Sequence, residues 1–313
     1  MQMDIHIATT EEMTQANMLS YQTWAQGQSV EEYLQESGRS WQENDAQCWV
    51  LTVDKKVVAS VGAHRMAFYA DGTEISGFGM AALHTDASLR RNGYGQMLVE
   101  HARPRIAEQF GDACLIFSAI KSEYYEKMGF ILHSNISYDC FDLEGLTQPK
   151  IPVEFRKIQP HLNIDWLEQL YAKQHKHCTL AVARNKEYWE ASLRTNVQDQ
   201  FCVMVYRGKK IGYLRYHDTA SYSTLVECVV EQEYDVDRKE MFVASAYRYM
   251  ALMAIGKQLP VVTSWQRPPP SILPFFSARK RNNMSPMLWL SDSWMPRKQS
   301  ILESMPVYAS DYF

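Results

Sequence analysis

The amino-acid sequence predicts an α/β fold built as two copies of one unit, and three observations carry that prediction. Strand-like apolar runs alternate with helical stretches through the first half, the pattern of a sheet covered by helices. Residues 114–118 form a continuous apolar run, the mark of a strand buried on both faces. Lys55-Lys56 and Lys209-Lys210 occupy equivalent turns between strand-like runs in the two halves, so element order repeats although no residue-level repeat is visible.

The elements follow in order. Residues 5–8 are a short apolar run, and Thr9-Thr10-Glu11-Glu12 signals the start of a helix over 13–24. Ser29-Val30-Glu31-Glu32 starts a second capped helix with Tyr33 and Leu34 on its buried side. Residues 48–53 are β-rich, and the tight turn Asp54-Lys55-Lys56 leads into a strand from 57 to about 69. Asp71-Gly72 is a hairpin signal, and the returning strand spans 74–85. A helix over 96–110 puts Met97, Leu98, Ala102 and Ile106 on one face. A short helix over 123–128 ends at Gly129, and 136–143 closes the half as a strand. The prolines of Gln148-Pro149-Lys150-Ile151-Pro152 mark a linker, which gives domains 1–147 and 153–313. The second half carries helices at 164–172, 186–193 and 239–255. Its strands lie at 201–205, 211–217, 225–230 and 260–265, with a turn at Gly208-Lys209-Lys210.

Composition excludes several classes. Hydrophobic residues make up 46% and charged ones 22% of 313 residues, which argues against extensive disorder. A formal charge of −4 lacks the positive field of a nucleic-acid-binding protein. The first twenty residues are too polar for a secretory signal, and no apolar stretch reaches membrane-spanning length. Six scattered cysteines without a CxxC read as reduced core residues of a cytoplasmic protein. His175-Lys176-His177-Cys178 lacks a second ligand pair, so no metal is expected. Ala278-Arg279-Lys280-Arg281 reads as a solvated loop and Trp265-Gln266-Arg267-Pro268-Pro269-Pro270 as a polyproline-like connector.

The chemistry concentrates in Leu83-His84-Thr85, which ends a strand, and in the following Arg90-Arg91-Asn92-Gly93-Tyr94-Gly95-Gln96, which opens a helix. Glycines let the backbone approach a ligand, and a helix N-terminus offers aligned N–H donors, so Arg90-x-x-Gly93-x-Gly95 is an anion cradle to which Arg90 and Arg91 add charge. The same residues also fit a plain glycine turn with solvated arginines. One helix and one strand later comes Tyr124-Tyr125-Glu126-Lys127-Met128-Gly129-Phe130.

Together, in this order and spacing, the two segments resemble the pyrophosphate loop and the later aromatic motif of the GNAT superfamily of acyl-CoA-dependent N-acetyltransferases. The resemblance implies a mixed central sheet whose parallel strands, ending at Thr85 and Ser118, splay apart around acetyl-CoA. Backbone groups of Leu83, His84 and Thr85 would pair with the pantetheine, residues 90–96 would hold the pyrophosphate, and Tyr125 would protonate the departing thiolate. Its rival reading is a packing tyrosine, a role that suits Tyr124. Many relatives carry Asn where this chain has Ser118, whose hydroxyl could still bind a pantetheine carbonyl. For the general base His84 is the best single choice, with Asp86 and Glu74 as neighbours, although a strand histidine in a purely structural hydrogen bond fits as well.

In the second half, Glu231-Gln232-Glu233-Tyr234-Asp235-Val236-Asp237-Arg238 stands where a pyrophosphate loop would, acidic and without glycine, so that half is expected not to bind CoA. Lys186-Glu187-Tyr188-Trp189 and Gly208-Lys209-Lys210-Ile211-Gly212-Tyr213-Leu214-Arg215-Tyr216 are similar to the central domain of enhanced-intracellular-survival-type tandem acetyltransferases. These acetylate lysine or other amines. They usually carry a third, sterol-carrier-like domain for which no residues remain here, and their terminal carboxylate, here on Phe313, can help deprotonate the amine. The resemblance also allows a homo-oligomer. The implied function is acetyl transfer from acetyl-CoA to a primary amine by direct attack in a ternary complex, since no Cys-His pair suggests an acyl-enzyme. The acceptor would enter over helices 13–24 and 29–36, where Glu31, Glu32, Glu43 and Asp45 would favour a cation, with the second domain walling the cleft. The rival is a non-catalytic acyl-CoA sensor or scaffold on the same fold.

Overall fold

A computed structural model describes residues 2–25, 27–43, 46–134, 136–148, 152–281, 284–306 and 308. Asp45, the linker prolyl residue Pro149 with Lys150 and Ile151, and Phe313 lie outside them, as does the side chain of Glu43. The chain divides into two compact units: residues 1–68, 75–133 and 283–299 in one, and 69–74, 134–282 and 300–313 in the other.

The first unit opens with β1 (Met3–Ile7), α1 (Thr10–Trp24) and α2 (Val30–Glu43). Thr9 caps α1 through a reciprocal box with Glu12. Then come β2 (Gln47–Val53), β3 (Lys56–Ala70) and β4 (Thr73–Thr85). Both hairpins turn through paired left-handed residues, Asp54-Lys55 at φ 47° and 68° and Asp71-Gly72 at 47° and 94°, the twist that matches flanking strands. After α3 (Tyr94–Phe110) follow β5 (Ala113–Ser118), α4 (Ser122–Glu126) and β6 (Ile131–Leu132). The run in β2 is buried on both sides. Cys48 and Val50 pack with Ala16 of α1, while Trp49 and Leu51 join the α3 cluster of Leu98, Ala102 and Ile106.

The second unit comprises β7 (Ile136–Cys140), α5 (Leu143–Leu146), β8 (Glu154–Ile158), α6 (Ile164–His175), β9 (Ala181–Ala183), α7 (Lys186–Thr195), β10 (Gln200–Tyr206), β11 (Lys209–Asp218), β12 (Ser223–Val230), α8 (Val236–Gly256), β13 (Val262–Ser264) and β14 (Ser277–Lys280). Its sheet runs β14-β7-β13-β12-β11-β10-β8, with Phe242, Tyr247, Met250 and Ala254 of α8 in the core. The chain then adds β15 (Ser285–Leu290) to the first sheet, which runs β1-β2-β3-β4-β5-β15-β6. A short helix α9 (Lys298–Ser304) follows.

Three expectations are corrected. The strand over 136–143 does not close the first half: β7 pairs with β13 and β14, and β15 takes the place beside β5. Residues 278–280 are not a solvated loop. They form β14 beside β7, and the Arg281 guanidinium lies 3.5 Å over the Trp265 ring. The turn between β10 and β11 is Arg207-Gly208, at φ 50° and 77°, with Lys209 and Lys210 already in the strand.

Candidate functional site

Two parallel strands create the opening. β4 and β5 are in register only at Phe78–Cys114 and Gly79–Leu115, while β5 stays paired with β15 along its whole length to Ser118. Beyond Gly79, β4 therefore leaves its neighbour. Ala82, at φ 52°, sits in the left-handed region inside the strand, a conformation that costs on the order of 1 kcal/mol and interrupts the extended run of β4. The mixed sheet with splayed parallel strands is thus present, and Leu83, His84 and Thr85 lie on the diverging arm.

The segment past Thr85 leads from the diverging strand into α3. Arg91 is left-handed at φ 68°, and Gly93, the N-cap of α3, at φ 80°. No side chain caps this helix, and its first intrahelical bond runs from Met97 N–H to the Gly93 carbonyl at 2.9 Å. The N–H groups of Tyr94, Gly95 and Gln96 thus point out of a seventeen-residue helix with its positive dipole end behind them. A Cβ on Gly93 would meet nothing within 4 Å, so the space beside the loop is free. Gly95 has a different reason to be glycine: a Cβ there would lie 2.8 Å from Tyr124 Oη and 3.1 Å from Thr85 Oγ1. The exposed Arg90 donates from Nε to the Thr85 carbonyl at 3.3 Å, Asn92 to the Leu89 carbonyl at 2.9 Å, and Gln96 to Glu100 at 2.8 Å.

Tyr124 and Tyr125 sit on α4, with rings edge-to-face at 5.2 Å, and Tyr125 packs likewise on Phe130 at 5.6 Å. Burial, then the neighbouring Tyr124 and Cys114, pushes the Tyr125 phenol well above the ordinary tyrosine value, so it holds its proton at neutral pH. Ser118 is 1% exposed, and its hydroxyl is engaged locally. It donates to the Ile120 carbonyl at 2.8 Å and accepts from the Ile120 N–H at 3.2 Å. Burial also raises the Cys114 thiol far above its usual range, which leaves it inert as a nucleophile.

The candidate bases are held in different ways. The His84 Nδ1–H donates to the Ala82 carbonyl at 3.0 Å, and Nε2 accepts from the Trp24 indole N–H at 2.7 Å. That pair of partners fixes the tautomer. Asp86 caps the turn at 87–89 by accepting from the Ser88 N–H at 2.9 Å and pairs with Lys56 at 3.4 Å. Glu74 is at the far end of β4, roughly 33 Å of strand from His84 at ~3.3 Å per residue, so it does not join the cleft. On α2, Glu32 accepts from the Ser29 N–H at 2.9 Å as a capping box, whereas Glu31 is exposed beside it. Trp24 escaped the sequence reading. A tryptophan ending an amphipathic helix carries no local signal, because sheet topology alone brings residue 24 to residue 84.

The second unit has the same ingredients with each opening filled. Its parallel pair β12 and β13 is in register from Ser223–Val262 to Leu225–Ser264. Beyond it the Gln266 amide bonds both backbone groups of Cys228, accepting from the N–H at 3.1 Å and donating to the carbonyl at 3.3 Å. The N-terminus of α8 is capped by Asp235, which accepts from the Arg238 N–H at 2.8 Å. A carboxylate of the chain itself stands where α3 leaves its donors free.

Among the described residues no helix is long and apolar enough to cross a membrane, and no group of three metal-ligating side chains occurs. Comparison with curated proteins finds no match. Among solved structures, the chain is similar to a probable N-acyltransferase from Enterococcus faecalis V583, with TM-score 0.72 and 12% identity over 93% of this chain and 72% of that one. It is similar to Eis1 from Mycobacterium abscessus, with TM-score 0.60 and 14% identity over 93% and 74%. A third is a tandem GNAT protein from the clavulanic acid biosynthesis pathway, with TM-score 0.53 and 11% identity over 92% and 98%. These likenesses concern the fold. The acetyltransferase (GNAT) domain family matches residues 4–132, the stretch that holds the splayed strands, the uncapped α3 and the α4 tyrosines. Residues 4–132 accordingly match the acetyltransferase (GNAT) domain family, and the tandem likeness of the whole chain is one of fold.

Proposed function

We propose that the protein transfers acetyl from acetyl-CoA to a primary amine by direct attack in a ternary complex. One observation carries the reading: α3, which follows the strand that parts from β5 beyond Gly79, starts at Gly93 without a side-chain cap, and a Cβ on Gly95 would lie 2.8 Å from Tyr124 Oη of α4. The residues present fit the co-substrate. Main-chain donors of residues 91–96 would take the pyrophosphate, with Arg90 and Arg91 adding charge, and Leu83–Thr85 would pair with the pantetheine as an added strand. The ammonium of the bound acceptor gives one proton to His84, which passes it to solvent, and the neutral amine then forms the C–N bond as the C–S bond breaks. Tyr125 supplies a proton to the thiolate, and the nitrogen's surplus proton restores the phenol through water. No metal is required in this scheme. Glu31 and Glu32 would draw a cationic acceptor toward α2. Replacing both with Gln, which retains the Ser29 capping geometry, is expected to raise the amine KM severalfold and spare that for acetyl-CoA.

One observation favours a second reading, an acyl-CoA sensor: the basic lone pair of His84 is taken by Trp24. Calorimetry with CoA and thiol release over lysine, cadaverine, spermidine and a lysine-containing peptide separate the two. One CoA per chain with turnover supports the transferase, binding without turnover the sensor, and no binding overturns both.

A further inference from the structure

The Trp24–His84 contact has the geometry of a substrate contact made by the protein itself. The indole N–H is a donor only, so Nε2 of His84 must be an acceptor, and the Ala82 carbonyl on Nδ1 demands the same tautomer. The rings meet edge-to-face at 6.2 Å and 79°, and Trp24 is 40% exposed at the last position of α1, with solvent to move into. An amine that is to be deprotonated by His84 must place its own N–H on that lone pair.

We propose that Trp24 is a positioning residue whose indole N–H stands in for the acceptor's N–H: it holds His84 neutral and in the productive tautomer, and the incoming ammonium replaces it. This rests on the assignment of His84 as base. On replacement, one proton passes from the ammonium nitrogen to Nε2, leaving a neutral amine and an imidazolium. The acceptor class that fits is a primary ammonium on an unhindered carbon, able to reach a nitrogen beside an indole edge. The charges and donors facing His84 are Trp24 from α1, the Ala82 carbonyl from its own strand, and Arg90 from the loop beyond Thr85. Burial and the Arg90 charge hold the imidazole below its ordinary range while the Ala82 carbonyl opposes them, so the indole is one of several groups that keep it neutral.

The test is the ring-nitrogen NMR titration of His84 in the full chain, wild type against Trp24→Phe, which keeps the ring and deletes the donor. The expected result is a His84 pKa raised by about half to one pH unit, the size of one net hydrogen bond, with CoA binding by calorimetry unchanged. In the wild type, cadaverine added to the CoA complex is expected to release the Trp24 indole proton to faster solvent exchange. An unshifted His84 pKa in Trp24→Phe, or an indole proton equally protected with and without cadaverine, overturns the proposal. His84→Gln tests the underlying assignment separately: retained turnover with an unmoved acid limb removes His84 as base. Lost turnover together with an unshifted Trp24→Phe titration overturns the Trp24 role alone.

Discussion

Tyr125 and Ser118 show how a sequence match divides once side chains are in view. The phenol is pushed upward by burial and by two neighbours that themselves resist ionisation, so it remains a proton donor throughout the neutral range. Tyr125→Phe keeps the edge contacts to Tyr124 and Phe130 and deletes only that proton. The expected outcome is a fall in kcat of about a hundredfold to ten-thousandfold, with the calorimetric Kd for CoA unchanged. A kcat within threefold of wild type would assign the tyrosine to packing. Ser118 behaves in the opposite way, because its hydroxyl both donates to and accepts from Ile120. Ser118→Ala is expected to lower stability by about 1 kcal/mol in urea unfolding while leaving CoA affinity within about twofold. The glycines were legible in sequence, since a left-handed turn and a close approach dictate their type. The partners of Ser118 and His84 were not, because Ile120 engages the hydroxyl through a turn and Trp24 arrives from sixty residues away.

Helix starts distinguish the two units more sharply than their sheets do. Both α3 and α8 follow a strand of a parallel pair, yet α3 opens on a left-handed glycine with no side-chain cap and α8 on an aspartate that caps it. Valine at Gly95 would drive a branched Cβ toward Tyr124 Oη and Thr85 Oγ1 at the mouth of the cradle. Gly95→Val is therefore expected to weaken CoA binding at least tenfold, a loss of about 1.4 kcal/mol or more, read by calorimetry. Asp235→Ala should cost about 1 kcal/mol of stability with CoA affinity unchanged. Equal effects of the two substitutions on CoA binding would mean that the cradle is not at α3. Turns and caps were legible because they are local: Thr9 with Glu12, Ser29 with Glu32 and Asp71-Gly72 all fold as their chemistry dictates. The exchange of β7 and β15 was not. A β-rich run such as 136–140 states that a strand exists but not which sheet edge receives it, the proline-containing run 285–290 carries no strand signal of its own, and pairing across more than a hundred residues leaves no local trace.

At the scale of the molecule, the second unit spends its polar residues inside the core, and that ties its stability to pH. Arg184 and Glu227 are fully buried and paired at 2.7 Å, Tyr213 donates to the same carboxylate, and the guanidinium lies 4.1 Å over the Tyr171 ring. Beside them His175 is 2% exposed, with Nδ1 on the Tyr171 carbonyl at 2.8 Å and Nε2 at 2.8 Å from the Tyr308 hydroxyl. Nδ1 must carry the proton, so Nε2 accepts from Tyr308; a second proton would turn the Tyr308 hydroxyl round to accept and would place a charge in a buried pocket. Burial lowers this imidazole from 6.5 to about 4, with the Tyr171 carbonyl opposing and Arg184 adding to the fall. The folded chain therefore stays neutral at His175 where the unfolded chain is already protonated. The stabilisation is complete above pH 6.5 and is lost as pH falls from 6.5 toward 4, on the order of 3 kcal/mol over the window and about 2 kcal/mol of it by pH 5. Urea unfolding at pH 7 and pH 5 is expected to show that loss in the wild type. In His175→Gln, whose amide can donate and accept without titrating, stability at pH 7 should fall while its difference between pH 7 and pH 5 shrinks. A difference as large as that of the wild type would move the acid sensitivity to other groups.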